Sequence, residues 1–237
     1  MMKLSPTMKV FLLNLLKVIF LLLLPFIALI RGAVFFHEQY HLWPWVSLLG
    51  GVLVSALFIF FYSVYIQGYI TGQIGDFKSL RKHYWIALVL VLVYCLPGVL
   101  FLSAANAKHE SVQKEFRSLH PILRLSVSTL VFIEGDLLIT DANRQPEDYA
   151  KMGLKTLNHS LHYKQSNGYA HAIDIRTIGH SGFRNFLVSS YFRLMGFNTL
   201  RHVGTADHFI FHKLEICLRI SMPIRDDNCQ WDVKASR

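Results

Sequence analysis

The run VFLLNLLKVIFLLLLPFIALI, residues 10–30, places this chain among membrane proteins. It is apolar except for Asn14, Lys17 and Pro25, and its length matches the roughly 20 residues that an α-helix needs to cross a bilayer. Two similar runs follow at 45–66 and 84–102. Aromatic residues typical of membrane interfaces stand at the ends of the runs, namely Trp43, Trp45, Tyr84 and Trp85. The sequence therefore predicts a membrane domain over residues 1–103 with three transmembrane helices.

The overall composition agrees with this class. Of the 237 residues, 53% are hydrophobic, and the mean hydropathy of +0.36 is too high for an ordinary soluble domain. A cleaved signal peptide is the alternative for the first run. That run is longer than the apolar core of a signal peptide, and no small-x-small cleavage site precedes Arg31. We therefore expect a retained helix.

The basic residues of the short loops predict the orientation. They lie before the first run and between the second and third runs, at Lys3, Lys9, Lys78, Arg81 and Lys82. The positive-inside rule then places the N-terminus in the cytoplasm. Three crossings place everything after Ser103 outside, so we expect a multi-pass protein of the cytoplasmic (inner) membrane with a periplasmic or extracellular C-terminal domain.

The net charge of +9 does not indicate a nucleic-acid partner. Residues 1–103 contain seven basic and two acidic residues, a net +5, which leaves +4 for the rest. No long run of like charge, Gly-rich phosphate loop or nucleic-acid motif is present. The partner that the sequence predicts is the lipid bilayer, and no feature predicts an oligomeric state.

The three cysteines fall in two environments. Cys95 lies inside the third apolar run, where we expect it to pack as a small hydrophobic residue. Cys217 and Cys229 lie in the predicted outer part, where an oxidising compartment would permit a disulfide. Whether they pair is left open.

Beyond the membrane runs the composition becomes that of a small α+β domain. A polar connector over 104–118 is followed by an amphipathic helix with Pro121 in its first turn. We expect strands at 137–142, 169–175, 199–203 and 209–220, and a helix at 183–195 closed by Gly196. The sequence thus predicts a separate domain over 119–237, large enough for its own core.

Three segments of this domain carry a family resemblance: LHPILR from Leu119, LITDANRQPED from Leu138, and SLHY from Ser160. Together they resemble the M15-type D-Ala-D-Ala carboxypeptidase and L,D-endopeptidase superfamily, whose fold the amino-terminal signalling domain of hedgehog proteins shares. The resemblance covers roughly residues 119–212. It implies a central antiparallel sheet, Zn²⁺ held by His, Asp and His, an acidic general base, an Arg beside the substrate, and peptidoglycan peptides as substrate.

The first two metal ligands follow from that resemblance. The family Asp, at the end of Ala-x-Asp, corresponds to Asp174. The family spacing His-x6-Asp lands on Asn167, a poor zinc ligand, so the SLHY match assigns His162 and requires an inserted loop near 164–168. His171 is an alternative, although a residue three positions before Asp174 on a strand would lie on the opposite face. A site lacking this ligand is a further alternative.

The last motif, Asp207-His208-Phe-Ile210, also departs from the family pattern Asp/Glu-x-x-His. The resemblance assigns Asp207 as general base, but Ile210 stands where the final His is expected, so we take His208 as the third ligand. His212 is an alternative ligand, on the same strand face as His208 and Ile210. Without a third protein ligand, zinc binding would be weak.

The resemblance assigns the remaining catalytic role to Arg144, which would stabilise the developing negative charge or bind a substrate carboxylate. It could instead pair with Glu147 or Asp148 in its own turn. Three functions therefore compete: a membrane-anchored zinc peptidase acting on cell-wall peptides, an inactive domain of this fold that binds wall peptide or a protein partner, and a membrane-assembly protein. The scarcity of polar groups in the apolar runs argues against a membrane-assembly protein.

Overall fold

The computed structural model describes residues 5–73, 75–143, 145, 147, 160–202 and 208–213. Of residues 201, 202 and 208–213 it describes only the backbone. These parts of the chain are mostly helical and contain one small antiparallel sheet.

The three predicted membrane helices are confirmed. They are α1 (Pro6–Tyr40), α2 (Pro44–Thr71) and α3 (Phe77–Leu100), and each is long and apolar enough to cross a membrane. Capping sets two of the starts, because the Ser5 hydroxyl and the Asp76 carboxylate accept hydrogen bonds from first-turn amides. Helix α1 has 35 residues, about 50 Å at 1.5 Å per residue, so it extends well beyond the predicted run.

Small residues at four-residue spacing bring α1 and α2 into close contact. Ser47, Gly51 and Ser55 form this row on α2, and both serines are buried. A Cβ atom at Gly51 would lie 2.2 Å from the Leu29 carbonyl oxygen, so only glycine permits the approach. The Ser55 hydroxyl donates a 2.8 Å hydrogen bond to the Pro25 carbonyl oxygen. This is the small-residue packing that joins helices in membranes.

The predicted connector is folded into the structure. It contains a short helix α4 (Glu110–Glu115) between two 3-10 turns, and its Val112 and Phe116 side chains are buried. Helix α5 (Pro121–Ile133) follows, beginning at the predicted proline. Because α5 packs against α1, α2 and α3, one hydrophobic core runs from the membrane helices into the C-terminal part.

The sheet contains β1 (Ile139–Asp141), β2 (Ala172–Arg176), β3 (Phe197–His202) and β4 (His208–Lys213). The order is β1-β2-β4-β3, and all neighbours are antiparallel, which confirms the predicted sheet type. Helix α6 (Gly182–Met195) connects β2 to β3 and ends at Gly196, whose φ of 95° favours glycine. Positions 214–220 of the predicted last strand lie outside the described residues.

Candidate functional site

Two of the predicted metal ligands lie side by side in the interior. Asp174 occupies the middle of β2 and is 3% exposed, while His162 precedes the strand and is 5% exposed. The His162 Nε2 and Asp174 Oδ1 atoms are 3.3 Å apart. This contact does not have the geometry of a hydrogen bond, and neither ring nitrogen of His162 is hydrogen-bonded to another of the described residues. Buried imidazole nitrogens normally find partners, so this arrangement suits a histidine that binds a further group.

A tight hairpin separates these two residues, at the position where the resemblance requires an inserted loop. Lys164 pairs with Ala170, and the turn closes at Gly168 with φ of 82°, a conformation that favours glycine. At its base, the amides of His171 and Ala172 both donate to the Leu161 carbonyl oxygen, at 2.8 and 3.1 Å. These two bonds hold the residue that precedes His162 against the start of β2.

The pairing of β2 with β4 locates the candidates for the third ligand. Asp174 lies opposite Ile210, Arg176 opposite His208, and Ala172 opposite His212. Directly opposed residues share a face of the sheet, and so do alternate residues along a strand. Positions 208, 210 and 212 therefore share the face of position 174. Ile210 is its direct neighbour, and the two histidine positions are one diagonal step to either side.

The His162–Asp174 pair fits a zinc ion in part. Two ligands bound at about 2.0–2.1 Å in tetrahedral geometry lie about 3.3 Å from each other, which is the separation of Nε2 and Oδ1. Among the described side chains, no group of three His, Cys, Asp or Glu is arranged to hold a metal ion. The pair would thus supply two ligands, and the third would come from position 208 or 212 on β4.

The other predicted site residues, Arg144 and Asp207, lie outside the described residues, as do Cys217 and Cys229. Their roles stay predictions. Cys95 is buried in α3 and is not in a disulfide, as expected of a small hydrophobic residue.

The alternative ligand His171 belongs to a second buried polar cluster. Its ring lies 5.0 Å from the His120 ring, and its Nε2 contacts the Asn167 side chain. The Arg124 guanidinium lies over the rings of Trp45 and Tyr169, at 5.5 and 5.9 Å from their centroids. The Trp45 indole N–H donates a 2.8 Å hydrogen bond to the Tyr169 hydroxyl. The cluster thus joins α2, α5 and the hairpin.

Sequence reasoning missed this second cluster. The signal that could have found it is Arg124, the lone charged residue of helix α5, because a buried charge needs nearby partners. Burial lowers the pKa of His171 to about 4. Burial also holds the pKa of His120 well below its usual range, helped by His171 and Arg124. Both imidazoles are therefore neutral at pH 7.

No family model, curated protein or solved structure matches the chain.

Proposed function

We propose that this chain is a membrane-anchored, zinc-dependent peptidase acting on cell-wall peptides, of the D,D-carboxypeptidase or L,D-endopeptidase type. The observation that carries the proposal is the buried His162–Asp174 pair, 3.3 Å apart. It joins two residues that the family resemblance assigns as ligands and that are separated by a hairpin in the sequence. The β4 register supports it further, because His208 lies one diagonal step from Asp174 on the same face.

The proposed roles divide among five residues. His162, Asp174 and His208 would hold the metal ion, which would supply a water of lowered pKa and polarise the scissile carbonyl. Asp207 would accept a proton from the attacking water and pass it to the leaving amine. Arg144 would stabilise the negative charge that develops on the carbonyl oxygen.

One observation favours a second candidate, an inactive domain of the same fold that binds wall peptide or a protein partner. Ile210, not a histidine, lies directly opposite Asp174, and the resemblance expects a histidine at that position. A sheet that lacks the third ligand would hold zinc weakly, so recognition by such a domain would not depend on a bound metal ion.

Zinc content and peptide turnover of the full-length protein in detergent would separate these candidates. We expect stoichiometric zinc in the parent, little in Asp174→Ala or His162→Ala, and undiminished zinc with turnover reduced about 10²- to 10⁴-fold in Asp207→Ala. His208→Ala and His212→Ala form the matched pair that identifies the third ligand. Full zinc in both Asp174→Ala and His162→Ala would contradict the assignment. A parent without zinc would favour the binding domain.

The proposed orientation places the C-terminal part outside the cytoplasmic membrane, where a cell-wall substrate lies. It rests on the basic residues of the N-terminus and of the segment between α2 and α3. A reporter enzyme fused after Arg237 and active only in the exterior compartment should be active. A cytoplasmic reporter signal would contradict both the orientation and the substrate.

A further inference from the structure

Five large apolar side chains on α5 and α6 are exposed. At the end of α5, Phe132 is 84% and Ile133 is 65% exposed; on α6, Phe183 is 71%, Phe186 is 64% and Leu187 is 50% exposed. The α6 positions are spaced by three and four residues and therefore share one face of the helix. We name these five residues the α5–α6 apolar face.

The two parts of this face are held together by polar contacts between the helices. The Arg184 guanidinium contacts the Glu134 carboxylate and lies 2.9 Å from a carboxylate oxygen of Asp136. Further along, the Tyr191 hydroxyl donates a 2.8 Å hydrogen bond to the Ser126 carbonyl oxygen. Helices α5 and α6 therefore run antiparallel, and Arg184 pairs with the two carboxylates that follow α5.

Contacts with α3 set the depth of the face relative to the membrane helices. The Ser128 hydroxyl donates a 2.6 Å hydrogen bond to the Gly98 carbonyl oxygen, and the Thr129 hydroxyl lies 2.6 Å from that of Tyr94. Successive residues of α5 thus meet earlier residues of α3. Tyr94 is six residues before the end of α3, about 9 Å along its axis. Phe132 lies three residues beyond Thr129 on α5, which is almost one helical turn further from the C-terminal end of α3.

That depth falls inside the hydrophobic length of α3. The apolar run of this helix begins at Tyr84, and an apolar run of this length spans the hydrocarbon core, about 30 Å thick. Leu90, four residues before Tyr94 and therefore on the same side of α3, is 55% exposed, and the neighbouring Val93 is 64% exposed. The α5–α6 apolar face is therefore continuous with a surface that lipid covers.

We propose that the α5–α6 apolar face contacts lipid acyl chains. In this arrangement α5 is a re-entrant helix, which enters the leaflet that the C-terminal half of α3 crosses. Apolar patches of this kind mark membrane or protein contacts, and continuity with α3 selects lipid. Backbone groups at membrane depth must be paired within the protein. The Thr129 hydroxyl, bonded to the Leu125 carbonyl oxygen at 2.7 Å, contributes to this pairing. The inference does not depend on the proposed peptidase activity.

Spin labels on the full-length protein in phosphatidylcholine–phosphatidylglycerol vesicles test the proposal. Phe132→Cys and Phe186→Cys would be labelled after Cys217 and Cys229 are replaced by serine, with the buried Cys95 kept. Val93→Cys is the lipid-facing control. Lys114→Cys is the water-facing control, because its side chain is 74% exposed on α4. For labels at positions 132 and 186, we expect the ratio of the collision rate with oxygen to that with a water-soluble nickel chelate to equal the ratio at position 93. It should exceed the ratio at position 114 several-fold.

Two results would overturn the proposal: accessibility equal to that of Lys114, or dipolar broadening that grows with label density and so indicates a second copy on the face. A Phe132→Trp variant gives a reading independent of the cysteine replacements. In vesicles with brominated acyl chains, its additional fluorescence should be quenched relative to the parent, and unquenched additional fluorescence would contradict lipid contact.

Discussion

Replacing Gly51 by alanine should separate α1 from α2. The added Cβ atom would lie 2.2 Å from the Leu29 carbonyl oxygen and 2.9 Å from the Ala33 amide nitrogen. Ordinary contacts between heavy atoms are about 3.5–4.0 Å, so the two backbones must move apart by roughly 1 Å or more. These are backbone atoms of a packed helix and cannot rotate away. We expect a loss of about 1–3 kcal/mol in the free energy of unfolding, the range for overpacked cores.

Gly68→Ala is the matched control on the same helix, because no atom lies within 4 Å of its added Cβ. Alanine favours helix over glycine by up to about 1 kcal/mol, so this variant should be neutral or slightly stabilised. Unfolding would be followed by far-UV circular dichroism as SDS is titrated into mixed micelles. Equal midpoints for Gly51→Ala and Gly68→Ala would refute the close approach of the two helices.

Three further perturbations test the packing around the site. Ser55→Ala removes the hydroxyl bonded to the α1 backbone and should cost about 0.5–1.5 kcal/mol in the SDS titration; an unchanged midpoint would contradict this bond. Since burial lowers the folded-state pKa of His171 to about 4 from 6.5, its contribution to stability should be complete above about pH 6.5 and be lost towards pH 4. A free energy of unfolding that stays constant between pH 6.5 and pH 4, or that changes equally in His171→Gln, would contradict the burial of His171. Trp45→Phe keeps the ring but loses the hydrogen bond to the hairpin, and it should weaken zinc binding in equilibrium dialysis more than Trp43→Phe.

The sequence predicted the elements whose signals are local. Apolar length alone marked the three membrane helices, and Pro121 and Gly196 marked the start of α5 and the end of α6. Strand alternation also predicted that positions 208, 210 and 212 share one face. Which of them opposes Asp174 depends on strand register, and a slip by one residue would exchange the faces. That pairing required the structure, which places Ile210 there.

For the second polar cluster, Arg124 signals that buried partners exist, but which residues these are could not be predicted because they are distant in the sequence. Trp45 bonds to Tyr169, and Arg124 stacks on both rings. Helical or strand periodicity reports neighbours within one element and gives no signal for contacts among α2, α5 and a hairpin. The ring nitrogens of His120 have no hydrogen-bond partner among the described residues, and this too results from burial between elements rather than from a local motif.

These contacts supply a physical reason for three helices where one would suffice as an anchor. The hairpin that carries His162 is held at Tyr169 by Trp45 of α2 and by Arg124 of α5, and α5 is in turn bonded to α3 at Gly98. A fragment beginning at residue 104 would lack both Trp45 and Gly98. It would leave Arg124 with one of its two aromatic faces missing and expose the apolar surface of α5 that now packs on the membrane helices. The helices therefore position the His162–Asp174 pair, and a truncated chain should lose that geometry even where its secondary structure survives.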